Sequence, residues 1–385
     1  MKYKCVDCDV LVVGAGVSGV TAAVAAARSG ASVILLEQNK FPGGTAVIAM
    51  HNFICGVGRY RKGLTKEILS KIAPKEKLIK RGGVFLLPFK TERMILGLTQ
   101  LIKGENRIRV FYNSKAVSVH RLKNRISSVI AEDRRGRILI NAKVVIDASG
   151  EGELIKLSGA GYKISALGKR QLSGFSFMVK NIKGNNEALA WKVPYYLTQG
   201  VRDKKLPKYY KFSLFSPAYS RSEGFIRLNI PAIKQKIDGK VIKKKAILAY
   251  NHLRSSLPEF KHSYITQVSP YLSNREGIRL LGEYNLKKND VLGQKKFPDA
   301  VAFGRWPIEF WHIKNGPRLT YLKKDGFYEI PLRSLKSSNI DNLFAAGRSI
   351  SADPYALAST RVLGTCISLG EAAGIAASNY ALTFS

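Results

Sequence analysis

The stretch DVLVVGAGVSG, residues 9–19, ends a short apolar run in three glycines, Gly14, Gly16 and Gly19, and a carboxylate, Glu37, closes the next apolar run, ASVILLE. This spacing is that of a dinucleotide site. Gly14 permits a tight turn, Gly16 lets the backbone approach a pyrophosphate, and Gly19 lets the following helix pack on the strand. Glu37 stands at the distance where a carboxylate accepts a ribose hydroxyl, and it would repel a 2′-phosphate, which disfavours NADP. Cys5 and Cys8 form a C-x-x-C directly before the first strand. With no second pair, they read as structural, and no metal site is expected.

The elements that must position these groups follow from periodicity. Val10–Val13 is a continuous apolar run, as in a parallel strand buried on both faces. The alanine-rich VTAAVAAARSG favours helix, and Gly30 is placed to end it. Residues 61–104 read mainly as helix with a strand at GGVFLLPF. The runs VFYNSKAVSV, RISSVIAED and RILINAKVV alternate as a three-stranded antiparallel meander that returns to an apolar strand, VVIDASG. Further on, SGFSFMVK, GFIRLNI and DGFYEIPL read as strands and KAILAYNHLRSSLP as helix. Near the C-terminus NLFAAGR reads as a short buried strand and TRVLGTCISLGEAAGIAAS as a helix.

The glycine turn, the pair Gly43–Gly44 soon after the ribose acid, the DASG return strand and the NLFAAGR segment together resemble the glutathione-reductase-like FAD superfamily. Within it, they resemble the group called FAD-dependent oxidoreductase, which includes xanthan-lyase-like and heterodisulfide-reductase-like members. The likeness covers both ends of the chain and residues 275–312, and is weak over residues 165–270. It implies an α/β fold: a Rossmann-like FAD-binding domain, with a parallel sheet plus a three-stranded antiparallel meander, and an inserted α+β substrate domain. The FAD-binding domain would be discontinuous, residues 1–164 and 325–385, with residues 165–324 as a substrate or cap domain over the flavin.

The same resemblance implies the cofactor contacts. Gly14, Gly16, Val17, Ser18, Gly19 and Glu37 would hold the adenosine half, and Gly43, Gly44 and Thr45 would lead toward the isoalloxazine. Ala116 and the return-strand residues Ala148, Ser149 and Gly150 would line the cofactor. Gly347, Arg348, Gly364, Thr365 and Cys366 would complete the flavin end, with Arg348 standing where many members have aspartate. Three side chains are expected to be catalytic: His312 as general base or stabiliser of an anion, Cys55 as a flavin-proximal thiol, and Arg361 as a contact for either a cofactor phosphate or an anionic substrate. Arg275, Glu276, Glu283 and Tyr284 read as an internal ion-pair framework.

Composition sets the partners. The chain has 385 residues, 45% of them hydrophobic, with 63 Lys+Arg against 27 Asp+Glu for a formal net charge of +36. No run approaches the ~18–20 apolar residues of a membrane-spanning helix. Four cysteines do not make a disulfide scaffold, so a reduced, cytoplasmic setting is expected. A field this positive attracts anions. The expected partner is a small-molecule substrate, anionic or presented by an acidic carrier protein. Nucleic acid is admitted by the charge but disfavoured, because no interleaved basic and aromatic module is present. The expected activity is that of an FAD-dependent dehydrogenase or oxidase moving a hydride between substrate and flavin N5. The alternatives are a flavoprotein acting on RNA and a redox partner that passes electrons to another protein.

Overall fold

Every other element is placed by the strand Lys4–Val13, whose last four residues are almost wholly buried. The computed structural model describes residues 4–58, 63–184, 186–218, 220–233, 237–323 and 326–383. Lys4–Val13 lies in a seven-stranded sheet between two parallel neighbours, Val33–Glu37 and Gly136–Asp147. Val13 is level with both Leu36 and Asp147. The loops leaving the three strands therefore open together at one carboxyl edge, where an open α/β sheet takes its ligand.

The parallel part of the sheet continues outward to Ile108–Tyr112. These residues open the run VFYNSKAVSV, which was expected to be one meander strand. The run is broken at Asn113, whose φ of 54° turns the chain back. The meander itself is Lys115–Leu122, Arg125–Asp133 and the first half of Gly136–Asp147. Its third strand and the return strand are thus a single element of 12 residues. The outer edge of that strand is shared: its beginning pairs antiparallel with Arg125–Asp133, and Val145–Asp147 pair parallel with Leu343–Ala345.

Asn342 fills the branch. It is buried, its Oδ1 accepts from the Ile126 amide (2.9 Å), and its Nδ2 donates to the carbonyls of Ile126 (2.8 Å) and Lys143 (2.9 Å).

Two helices back the sheet. Val17–Arg28 starts at the glycine turn and ends where Gly30, at φ +102°, takes the left-handed conformation. The last helix, Leu363–Thr383, lies against it so closely that a Cβ at Gly370 or Gly374 would strike the carbonyls of Ser18 and Ala22.

A second, antiparallel sheet runs in the order Leu214–Pro217, Gly224–Ile230, Ser173–Lys180, Tyr264–Val268. Phe175, Phe177, Val179, Ile226 and Leu228 face one side and form a core with the helices Asn186–Arg202 and Gly239–Ser256. The strand period of two sends Gly174, Ser176 and Arg227 to the other side, toward the first sheet's ligand edge. Asn186–Arg202 is a helix that the periodicity did not reveal, and it carries Pro194 inside. Residues 324 and 325, at the expected domain boundary, lie outside the described residues.

Asn342→Leu would leave the buried amide and carbonyl of Ile126 without this partner and remove the part-buried bond to the Lys143 carbonyl. Each such group costs ~1–3 kcal/mol, so the variant should lose about 3 kcal/mol or more of stability, read as a lower urea midpoint. An unchanged midpoint would show that this side chain does not hold the branch.

Candidate active site

A cavity of about 590 Å³ opens at the carboxyl edge of the parallel sheet and runs beneath the second sheet. At one end it is walled by the glycine turn. Gly14 sits at φ +100° with no room for a side chain, since a Cβ there would lie 2.6 Å from the Ala148 carbonyl oxygen. A Cβ on Gly19 would strike the Gly14 carbonyl. Gly16 differs: a Cβ there would meet nothing within 4 Å, because the space in front of it is the cavity. Gly16 is the N-cap of Val17–Arg28 and offers no capping side chain, so the first-turn amides and the positive end of the helix dipole face that space. Glu37 is buried beside it. Its Oε2 accepts from the Ala15 amide (2.7 Å) and its Oε1 from the amide (2.8 Å) and Nδ2 (2.6 Å) of Asn39.

The cavity's middle is held by two loops. Gly43 donates its amide to Ala15 (2.8 Å), and Gly44, at φ +48°, lies over Gly16, so this loop crosses the glycine turn. The DASG loop is pinned by Asp147, a fully buried carboxylate that accepts from the amide (3.0 Å) and hydroxyl (2.7 Å) of Ser149 and the amide of Ile155 (3.1 Å). Burial raises its pKa, and those hydrogen bonds act the other way. Arg348 reaches the same wall and pairs with Glu151 at 2.7 Å.

At the far end, three arginines from separate parts of the chain meet: Arg227 on the second sheet, Arg275 on the loop that follows it, and Arg361 between the last two helices. Neutral groups hold each one. Arg227 Nε donates to Ser176 Oγ (3.2 Å) and its Nη2 to His51 Nδ1 (3.1 Å). Arg275 Nη1 donates to the Leu172 carbonyl (2.6 Å), with its guanidinium 4.0 Å over the Trp311 ring. Arg361 Nη2 donates to the Glu309 carbonyl (3.1 Å), and its Nε is buried without a partner. None of the three takes part in an ion pair among the described residues.

Burial weakens the hold of all three guanidinium groups on their protons. Arg275 is affected strongly, and Arg361 and Arg227 add their repulsion to it. The Glu309 carboxylate is the one acid here, and both its oxygens accept indole N–H groups, from Trp311 (2.7 Å) and Trp306 (2.9 Å). His51 is held neutral: burial, and then the three arginines, push its pKa well below the usual value. Because an arginine can only donate, Nδ1 of His51 accepts and its ring hydrogen is on Nε2.

Most of the residues expected from sequence converge here. Gly14, Gly16, Val17, Ser18, Glu37, Gly43, Gly44, Thr45, Ala116, Ala148, Ser149, Gly150, Arg348, Cys366, Cys55 and Arg361 all line the cavity. Gly19, Gly347, Gly364 and Thr365 stand behind its wall as close-packing positions; Gly364, for example, leaves no room for a Cβ against the Cys55 carbonyl. Cys55 and Cys366 are thiols whose pKa burial pushes up to about 12.

His312 is not brought to this cavity. It lies on the strand Ile308–His312, where alternation turns Glu309 and Trp311 inward while Phe310 and His312 line a separate cavity of about 510 Å³. Arg275 also leaves the expected ion-pair framework: Glu276 pairs with Arg279 instead. His51, Arg227, Glu309 and Trp311 were not singled out from sequence. Reading PIEFWH as a strand would have put Glu309 and Trp311 on the face opposite His312.

The family model described as FAD dependent oxidoreductase matches residues 9–382. This chain belongs to that family. FAD dependent oxidoreductases are enzymes that bind FAD, and this one has the corresponding fold. A geranylgeranyl bacteriochlorophyll reductase-like protein from Thermoplasma acidophilum has a similar structure, with a TM-score of 0.52 and 15% identity over 99% of this chain and 79% of that one. The p-nitrophenol 4-monooxygenase of Pseudomonas putida gives a TM-score of 0.46 and 11% identity over 74% of this chain and 70% of that one. A curated protein, 4-oxocyclohex-2-ene-1-carboxylate 5-dehydrogenase from Sinomonas cyclohexanicum, is 50% identical over 48 residues, which is 12% of this chain and only 8% of that protein's length. No helix among the described residues is long and apolar enough to cross a membrane.

The cavity of this FAD dependent oxidoreductase fits its cofactor. The uncapped helix start and the open space at Gly16 would suit a diphosphate and would be filled by a side chain, and Glu37 beside it would suit a ribose hydroxyl. Gly16 is also in an ordinary extended conformation, φ −64° and ψ 177°. Gly16→Val should therefore leave the melting temperature of the FAD-free protein nearly unchanged. Affinity for FAD should fall at least about tenfold, or ~1.4 kcal/mol, measured by flavin absorbance after reconstitution. Full flavin occupancy in the variant would move the diphosphate site elsewhere.

Proposed function

We propose that this enzyme moves a hydride between a small organic anion and FAD, as a dehydrogenase or oxidase. One observation carries the reading: three arginines turn into the cavity with no acid paired to them. A guanidinium does not shed its charge at neutral pH, and a charge removed from water calls for a counter-charge. An incoming carboxylate supplies it. The curated dehydrogenase that shares a 48-residue stretch is named for a carboxylate substrate, which agrees with this reading.

In this reading residues 1–164 and 325–385 hold FAD, and residues 165–324 roof the reacting centre. The separate core of the second sheet and its two helices supports that division. FAD, when bound, supplies N5 as acceptor or donor of the hydride. The chain's own residues do the rest. Arg227, Arg275 and Arg361 bind and orient the anion, and Trp311 supports Arg275 from behind. His51 offers its Nε2 hydrogen as a donor and gives Arg227 a fixed direction. Glu309, gripped by two indoles, limits the excess positive charge without spanning to any one guanidinium. Cys55, a thiol rather than a thiolate at neutral pH, is a wall residue in this scheme.

Anaerobic reduction of the FAD-loaded protein by a panel of small carboxylic acids tests the reading. Arg361→Gln should raise KM for an active acid about 10- to 100-fold, the value of a hydrogen bond to a charged group, while the matching neutral amide is unaffected. Equal turnover of acid and amide by the unaltered enzyme would sink the proposal.

A further inference from the structure

The far end of the cavity carries more positive charge than one carboxylate neutralises. Three guanidinium groups and one carboxylate, Glu309, face it, which leaves two positive charges uncompensated. Arg348, the other arginine on the wall, is already neutralised by Glu151. His51 adds no charge, since burial and its arginine neighbours keep it neutral.

Resting on the reading above, we propose that the substrate is a small dianion with two carboxylates, both bound by the Arg227, Arg275 and Arg361 cluster. A single carboxylate has two oxygens and is saturated by two guanidinium forks. With Glu309 offsetting one charge and the ligand another, one positive charge of the cluster would then remain without a counter-charge. Each of the three is also fixed through one edge only. Arg275 lies over the Trp311 ring and is tied to Leu172, Arg227 is tied to Ser176 and His51, and Arg361 is tied to the Glu309 backbone. Their remaining N–H groups have no protein partner among the described residues, and the Arg361 Nε is buried and unpaired.

The arrangement is costly if it serves nothing. Excess positive charge held largely out of water, with Arg275 buried and Arg227 and Arg361 half-buried, opposes folding, and neutral residues of the same size would fill the space without that cost. Two carboxylates on one short carbon skeleton cancel the excess and use donors from all three directions. The small size of the group is set by the cavity, whose other end is taken up by the diphosphate and ribose positions.

Calorimetric titration of the FAD-loaded protein, read in parallel by perturbation of the flavin spectrum, decides the matter. The probes are malonate and succinate as dicarboxylates, acetate and butyrate as monocarboxylates, and inorganic phosphate as a compact dianion. The better dicarboxylate should bind at least about tenfold tighter than butyrate. Arg275→Gln should weaken the dicarboxylate more than the monocarboxylate, narrowing that ratio. Equal affinity for succinate and butyrate would overturn the two-carboxylate proposal and leave the anion reading intact. Phosphate binding tighter than both dicarboxylates would overturn it in favour of a phosphorylated ligand. Failure of every anion to bind would remove both this proposal and the function on which it rests.

Discussion

The backbone of the glycine turn is approached from several sides with no room for a side chain. The DASG loop closes on Gly14, the Gly14 carbonyl closes on Gly19, and the Gly43–Gly44 loop crosses Gly16. On the helix that follows, the last helix presses Gly370 and Gly374 against the carbonyls of Ser18 and Ala22. These approaches fix the distances between the strand ends, the covering loops and the two helices, because backbone in contact with backbone has no side chain to rearrange. Only the space in front of Gly16 is left open. That open space is thus a by-product of close packing everywhere around it.

The second sheet is held by an ordinary apolar core, and what it contributes to the site depends on parity. Along Gly224–Ile230, Ile226 and Leu228 are committed to the core, so Arg227 has to face the cavity. Along Ile308–His312 the same rule sends Glu309 and Trp311 inward and His312 outward. A shift of one residue in either strand would exchange the charged and apolar sets. The burial of the apolar residues therefore holds the arginine and glutamate in place, at positions where their own solvation opposes it.

What could be read from the sequence follows the range of the interactions involved. Gly14, Gly16, Gly19 and Glu37 depend on local backbone geometry, so their spacing alone points to one dinucleotide site, whereas the DASG loop came from resemblance; the structure brings these segments to one carboxyl edge. Arg348 and Arg361 came from resemblance and lie on the cavity wall. Arg227 and Arg275 could not be placed, since their convergence with Arg361 needs the pairing of strands far apart in the chain. The run VFYNSKAVSV kept its alternation across Asn113, so the break there was invisible to a period-two pattern. Asn342 looked like any loop asparagine; its three hydrogen bonds exist only because one strand shares its edge with two others. The helix Asn186–Arg202 was hidden by Pro194 and by a polar, aromatic mixture on its surface.

The charges along the cavity are ordered, and the order governs what can lie where. A carboxylate, Glu37, stands at the ribose end and disfavours any further anion beside it. Next comes the helix start, whose positive dipole end would favour a diphosphate. The three arginines follow at the far end, beneath the second sheet, which itself carries Arg227. A dinucleotide laid in the reverse direction would set its diphosphate away from the helix start and its ribose hydroxyls away from Glu37. A small anion entering the ribose end would meet like charge. This order of charges would sort FAD from the proposed small anion before any shape is tested. The large surface excess of lysine and arginine adds to the attraction of anions from outside but cannot supply this direction, because its charges are spread along the chain.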